Sequence, residues 1–274
     1  MYQEEVITKT GQSGSSHSIS VNEGDYNPLV SIITASYNSQ PYIAHTIRSV
    51  QQQTYTNWEM IIVDDCSTDN SLELIEEFLK DPRVKLLRHN KNKGIVAARN
   101  YAIERSGGNI IAILDSDDIW MPYKLERQIA IYRKTPGTAM VYSDYDYIND
   151  DGQSLNKIIR APAKVGYYDI LKSCSIGCLT STYNVDVLGK IYFRQHGHED
   201  YILWLDILKR GFEAINAGEI LARYRITRNS ISSNKVRAAK WQFKIYRNIE
   251  GLSLFKTLYY FSWYTFKGIR KHLY

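Results

Sequence analysis

The chain has 274 residues, 44% apolar and 23% charged, the balance of an ordinary globular protein with one large domain or a domain plus an appendage. Its net charge of +5 suits an anionic partner such as a nucleotide or an acidic membrane. The basic residues are scattered, with neither a basic arm nor an RNA-type aromatic motif, so no nucleic-acid partner is expected.

Three cysteines, Cys66, Cys174 and Cys178, form no disulfide framework and lack paired zinc spacing, so they read as reduced thiols. The 22 tyrosines suit sites that stack on or hydrogen-bond polar ligands, as well as surfaces and interfaces. The opening stretch has no apolar core of the signal-peptide kind and is biased to Gly, Ser and polar residues. A cytoplasmic protein with a loose tail over 1–27 is expected.

From residue 29 the texture changes. "LVSIIT" (29–34) reads as a strand, and 41–53 as a helix with Ile43, Ile47 and Val50 on one face and Pro41 in its first turn. "WEMIIV" (58–63) is a second strand, and 70–80 a helix with Asp69 as N-cap. A strand over 84–88, a helix over 95–106 closed by Gly107–Gly108, and a strand over 110–114 follow. This alternation, with continuous aliphatic runs, predicts a mostly parallel sheet flanked by helices. Beyond it lie a helix at 123–134, a strand at 139–148 with a turn at "NDDG", a helix at 199–211 and a strand at 219–225. Residues 153–195 are less regular. The last stretch, 252–274, has Lys256, Lys267, Arg270 and Lys271 on one side of a helical wheel and Leu254, Leu258, Phe261 and Ile269 opposite. It predicts a basic amphipathic helix that lies on an anionic membrane or packs on the domain.

Ligands of open parallel sheets bind at the carboxyl ends of the strands. The polar clusters "SYNS", "DDCSTD" and "DSDD" all follow apolar strands, which brings them to one rim. If the strand extends through them, Asp115 and Asp117 project the same way. Such a pair repels itself unless a cation lies beside it, and Mg²⁺ or Mn²⁺ commonly uses one or two carboxylates with substrate phosphates. At the second strand end, Asp65 is read as the ligand-facing acid, with Asp64 or Ser67 capping the next helix. Lys93, Gly94 and Arg99 in "NKGIVAARN" suit a phosphate, although Arg99 could instead pair with the acids. In "HGHED", His196, His198, Glu199 and Asp200 could form a metal site, or His198 could cap the helix or orient a carboxylate. Neither a dinucleotide fingerprint nor a P-loop occurs.

Taken in order, "VSIITASYNSQPYI", "WEMIIVDDCSTDNS", "NKGIVAARNYAI", "ILDSDDIW" and "GHEDYILWLDIL" resemble the family 2 glycosyltransferases of GT-A fold over about 29–230. The resemblance implies an α/β, GT-A type, Rossmann-like sheet with a C-terminal amphipathic helical extension. It divides the chain into a tail (1–27), a catalytic domain (28–235, with a nucleotide half to 120 and an acceptor half beyond) and the extension (236–274). It implies inverting transfer of a sugar, usually from a UDP-sugar, to an acceptor hydroxyl. Thr34, Ser36, Tyr37, Asn38, Asp65, Lys93, Gly94, Arg99, Asp115, Ser116 and Asp117 would hold the donor. Asp117 and Asp118 would hold Mn²⁺ or Mg²⁺. Asp200 would be the general base, with Glu199 as the fallback. A lipid-linked acceptor of the O-antigen or capsule type, met at the inner face of the cytoplasmic membrane, fits the basic tail. The late "YRITRNS" departs from the family's pattern, with Thr227 where a His is usual; Arg225 or Arg228 is then a candidate for the diphosphate. A sugar-nucleotide nucleotidyltransferase is disfavoured by the lack of a triphosphate loop. A non-catalytic nucleotide-sugar binder is disfavoured by the full set of acids.

Overall fold

The computed structural model describes residues 26–227 and 235–273. In chain order it contains β1 (Val30–Ser36), α1 (Ile43–Gln51), β2 (Trp58–Asp64), α2 (Ser71–Glu76), β3 (Val84–Arg88), α3 (Ile95–Arg105), β4 (Ile110–Ile113) and β5 (Ile119–Trp120). The second half contains α4 (Lys124–Lys134), β6 (Met140–Ile148), β7 (Ser154–Ile159), β8 (Lys164–Val165), α5 (Tyr167–Ile170), β9 (Thr182–Asn184), α6 (Val185–Leu188), α7 (Glu199–Leu208) and β10 (Ala214–Arg225). Helices α8 (Lys235–Lys244) and α9 (Leu254–Leu273) follow, and a π-helical turn over Ile245–Ile249 continues α8.

The sheet order is β3-β2-β1-β4-β9-β6-β10-β5, with β7 on β6 and β8 on β10. Strands β1 to β4 are parallel; β1, β2 and β4 are aliphatic runs buried on both faces, and edge strand β3 is partly exposed. Short β9 is antiparallel to both β4 and β6, so β6 again runs with β4, and β10 is parallel to β6. The carboxyl ends of β1, β2, β4, β6 and β10 therefore share one rim. Sequence periodicity missed β9, because three residues carry no readable alternation. Only part of β10 was expected, because its register shifts between Asn216 and Ala222 break the pattern.

Alternate strand positions feed two cores. Ile33, Ile111 and Ile113 meet α3 and α7, while Val30, Ile32 and Ala112 meet α1 and α4. Each such isoleucine contributes roughly 2 kcal/mol by leaving water. The predicted helix over 70–80 is α-helical only to Glu76 and then tightens to 3₁₀. Asp69 is the local cap in function, accepting the Ser71 N–H at 3.0 Å, although Asn70 occupies the boundary. Below the sheet, Gly108 passes so close to β1 that a Cβ would lie 2.6 Å from Ser31 Oγ and 2.7 Å from the Leu29 carbonyl oxygen. That close approach requires glycine.

The expected tail boundary moves. Tyr26 and Asn27 are anchored, the Tyr26 carbonyl by Arg133 Nε at 2.7 Å and the Asn27 carbonyl by Asn57 at 2.8 Å. Residues 1–25 lie outside the described residues. Helix α9 packs one face on the domain, as one of the two expectations for the C-terminus has it, and leaves the other face exposed. Thr257, Tyr260, Phe261 and Tyr264 face the domain, while Phe255 (86% exposed), Leu258, Tyr259 and Phe266 (59%) face out. The expected wheel is thus rotated: Phe261 packs inward, whereas Leu254 and Leu258 are exposed. The side chains of Ile269, Arg270 and Lys271 lie outside the described residues. No described helix is long and apolar enough to cross a membrane.

Candidate active site

Backbone hydrogen bonds stitch the first two strand ends together. The Asn38 N–H donates to Ser67 Oγ at 3.0 Å, and Asn38 Oδ1 accepts the Thr68 N–H at 2.8 Å. Asn38 takes a left-handed φ of 50° to do so. Ser36 Oγ lies 2.6 Å from Ser39 Oγ, and Tyr37 stands out, 48% exposed. Thr34 is fully buried within β1, and its hydroxyl has no partner. It lies beneath the rim rather than on it.

Asp65 is buried, and both its oxygens are engaged. They accept the Lys93 N–H at 2.9 Å and the Gly94 N–H at 2.7 Å, and one lies 2.6 Å from His89 Nδ1. Burial alone would raise this carboxyl's pKa. The bonds from His89, Lys93 and Gly94 outweigh it and hold the group below its ordinary value. Gly94 has φ of 87° with open space where a Cβ would stand, so backbone conformation and not crowding demands glycine here. His89 was missed in the sequence. Its position just after an apolar strand, on the same rim, was the available signal.

The strand carrying "DSDD" ends at Ile113, and Asp115–Asp118 form a turn, with the Asp118 N–H on the Asp115 carbonyl at 3.2 Å. The expected extended pair is therefore corrected: the chain turns between the acids instead of running on as a strand. Asp115 pairs with Arg99, which is buried on α3 with Phe193 5.0 Å from its guanidinium carbon. Burial works against the Arg99 charge, but Asp115 outweighs it and the charge of Asp200 adds to the effect. Of the two readings of Arg99, pairing with the acids is the one present. Asp117 is half-buried, and burial together with Asp115 raises its pKa to about 6. Asp118 is buried; Oδ1 accepts the Arg225 N–H at 2.9 Å, and Oδ2 has no partner. Burial and both neighbouring acids push its pKa well up.

Thr46 clamps the turn, donating to the carbonyls of Ser116 and Asp118 at 3.0 and 2.9 Å. Arg225, a candidate hand for the diphosphate, is instead a fastener. Its guanidinium is buried and bonds the carbonyls of Asp117, Asn149 and Asp150 at 2.7 to 2.8 Å, and Tyr42 lies 4.8 Å away. Thr227 is half-buried, and Arg228 lies outside the described residues.

His198 opens α7 in a left-handed conformation, its ring edge-on to Trp241 at 5.5 Å. Its side chain makes no capping bond. Glu199 and Asp200 are half-buried in the first turn, and one Asp200 oxygen accepts the Tyr201 N–H at 2.8 Å. The charge of Asp200 acts on both Arg99 and Cys178, as does that of Asp115, so the start of α7 and the acidic turn face one region. The possible metal site over His196, His198, Glu199 and Asp200 is not formed. Among the described residues no three or more His, Cys, Asp or Glu side chains are placed to hold a metal ion. A cation that takes one or two carboxylates and completes its shell with phosphate oxygens needs no such cluster. Asp117 and the unpartnered oxygen of Asp118 fit that smaller requirement.

The mixed α/β sheet has the GT-A arrangement, and the comparisons with known proteins give the family. Residues 31–185 match the family described as Glycosyl transferase family 2, and the chain belongs to it. It is 41% identical over 91% of its length, and 99% of the relative's, to the Bacillus subtilis glycosyltransferase assigned to teichuronic acid biosynthesis as TuaG. It is 42% identical over 89% of its length, and 95% of the relative's, to the Escherichia coli UDP-Glc:alpha-D-GlcNAc-diphosphoundecaprenol beta-1,3-glucosyltransferase WfgD. Among solved structures, S. aureus TarS 1–349 in complex with UDP-GlcNAc matches with a TM-score of 0.65 at 20% identity, covering 80% of this chain and 66% of that one. The mannosyltransferase PcManGT from Pyrobaculum calidifontis, in complex with GDP-Man and Mn²⁺, matches at 0.63 and 18%, covering 84% and 66%. The chain thus spans about two thirds of these structures, which share its fold. It is a glycosyltransferase related to enzymes of bacterial polysaccharide synthesis.

Proposed function

We propose that the protein moves a hexose from a UDP-sugar to a hydroxyl of a lipid-linked saccharide, with inversion and with Mn²⁺ or Mg²⁺, in the building of a bacterial surface polysaccharide such as O-antigen or capsule. The observation that carries the reading is the acidic turn at the rim, where Asp117 and Asp118 follow the Arg99–Asp115 ion pair and one Asp118 carboxylate oxygen is unpartnered. Two relatives named for UDP-Glc and a diphosphoundecaprenol acceptor support the donor and acceptor class.

In this reading Asp117 and Asp118 would hold the ion, which when bound would supply Lewis-acid stabilisation for the departing nucleoside diphosphate. Tyr37, Asn38 and the loop at Lys93–Gly94 border the nucleotide, with Asp65 setting that loop's shape. Ser36 at the end of β1 and Ser116 in the acidic turn support it, and Thr34 from below. Asp115 and Arg99 lock each other, which fixes the turn. Asp200 accepts the proton of the incoming hydroxyl, with Glu199 next to it. One displacement needs no covalent intermediate. The region from 28 to 120 serves the nucleotide and that from 121 to 235 the acceptor.

The outward stripe of α9, bordered by Lys256 and Lys267, rests on the anionic inner face of the cytoplasmic membrane, where a lipid-linked acceptor resides. The test is UDP release from a panel of UDP-sugars with each metal. Turnover that requires the metal and one donor is expected. No release and no binding of any of them would end the donor assignment.

A further inference from the structure

The function leaves unassigned a group of three tyrosines at the carboxyl ends of β6 and β10. Tyr147 is paired in register with Tyr224, so both rings stand on one face of the sheet, and Tyr145 lies two residues earlier on that face. The rings touch as a triangle. Tyr145–Tyr147 centroids are 5.7 Å apart, Tyr147–Tyr224 5.6 Å and nearly perpendicular, and Tyr145–Tyr224 6.2 Å. Tyr145 and Tyr224 both pack against the core that holds Trp120 and Ala222, and all three rings are half-buried.

Three features connect this shelf to the acids. Tyr224 directly precedes Arg225, whose N–H holds Asp118 and whose guanidinium holds the Asp117 carbonyl. β9 is antiparallel, so the segment leading into it enters at the same rim, between β4 and β6. Within that segment, a Cβ on Gly177 would lie 3.1 Å from the Tyr145 ring, and the next residue, Cys178, feels the charges of Asp115 and Asp200. The shelf and the candidate base therefore lie on opposite sides of one short loop at the rim, Tyr145 and Tyr224 with the core of α1 and α4 and Asp200 at the start of α7. Lys157 of β7 adds a cation 5.9 Å from the Tyr147 ring centre.

We infer that Tyr147 and Tyr224, backed by Tyr145, form an acceptor subsite on which a pyranose ring of the acceptor stacks its C–H face, with Lys157 meeting an anionic group attached to that ring. The inference rests on the glycosyl-transfer reading and deepens it. Aromatic faces hold the apolar side of a sugar while leaving its hydroxyls free to turn toward a base, and a nearby cation suits a diphosphate.

The test uses the full-length protein with UDP present and saturation-transfer difference NMR. The probes are methyl α-N-acetylglucosaminide and an alkyl diphosphate ester of α-N-acetylglucosamine. In the wild type, ring methine protons of both probes should take up saturation. Tyr147→Ala and Tyr224→Ala should weaken binding about tenfold, while Tyr147→Phe keeps it and UDP affinity stays the same in all three. Lys157→Gln should weaken only the diphosphate probe. Unchanged binding in both alanine variants, absence of a saccharide signal in the wild type, or parallel loss of UDP affinity would overturn the shelf. A wild type that binds saccharide here but releases UDP from no donor would instead sink the donor assignment and leave the shelf standing.

Discussion

The ends of β2 and β4 place similar acids in similar surroundings and leave them in opposite states. Asp65 is buried and saturated, with His89 and two backbone N–H groups on its oxygens and its pKa lowered. Asp118 is equally buried, yet it has one backbone donor, an unpartnered oxygen and two acidic neighbours, and its pKa is raised. Burial is common to both, so burial does not decide the outcome. The supply of donors does. The first strand end is a finished knot that shapes the Lys93–Gly94 loop; the second keeps an unpartnered carboxylate oxygen among acidic neighbours.

The sharpest way to break this contrast is Asp117→Ala. Transfer should fall by about 100-fold or more, with loss of metal-dependent UDP binding, measured by UDP release and calorimetry. Full activity in this variant would remove Asp117 as a ligand. Asp200→Asn should lower transfer by on the order of 100-fold while UDP binding holds, because a base acts on the acceptor and not on the donor. Normal turnover would move the base elsewhere.

The two strand ends should also differ in stability. Asp65→Asn turns an acceptor into a donor facing existing donors and should cost about 3 kcal/mol in urea denaturation. Asp118→Asn keeps the oxygen for the Arg225 N–H and relieves repulsion. Without metal it should be neutral or stabilising by roughly 1 kcal/mol. Equal losses at both sites would erase the distinction.

Asp65 also fixes a pH response. Its folded pKa lies below the ordinary 3.8, so the stability it contributes is fully present above that value and is lost as pH falls through the folded pKa. Denaturation curves below about pH 4 should flatten in Asp65→Asn. Asp81, held at about 2 by Arg83, acts in the same direction and should preserve part of the slope. The smallest effect on catalysis is expected from Phe255→Ser with Phe266→Ser on the outward stripe of α9. Partitioning onto anionic vesicles should weaken, while turnover of a water-soluble acceptor is unchanged. Unaltered partitioning would leave α9 as a packing helix only.

Local chemistry determined a good deal. Aliphatic runs and helical spacing specified the three strand–helix repeats that lead from β1 to β4, and the carboxyl-end rule brought "SYNS", "DDCSTD" and "DSDD" to one rim. The tertiary structure alone decided which acid is satisfied. Asp65 finds its donors 28 and 29 residues away and Asp118 finds Arg225 at 107, separations set by sheet order and not by periodicity. It also turned Arg225 from a phosphate hand into a fastener and inserted β9 between β4 and β6. A hydrophobic pattern reports which face of an element leaves water. A hydrogen bond depends on which distant element arrives beside it, and that is known only once the sheet is assembled.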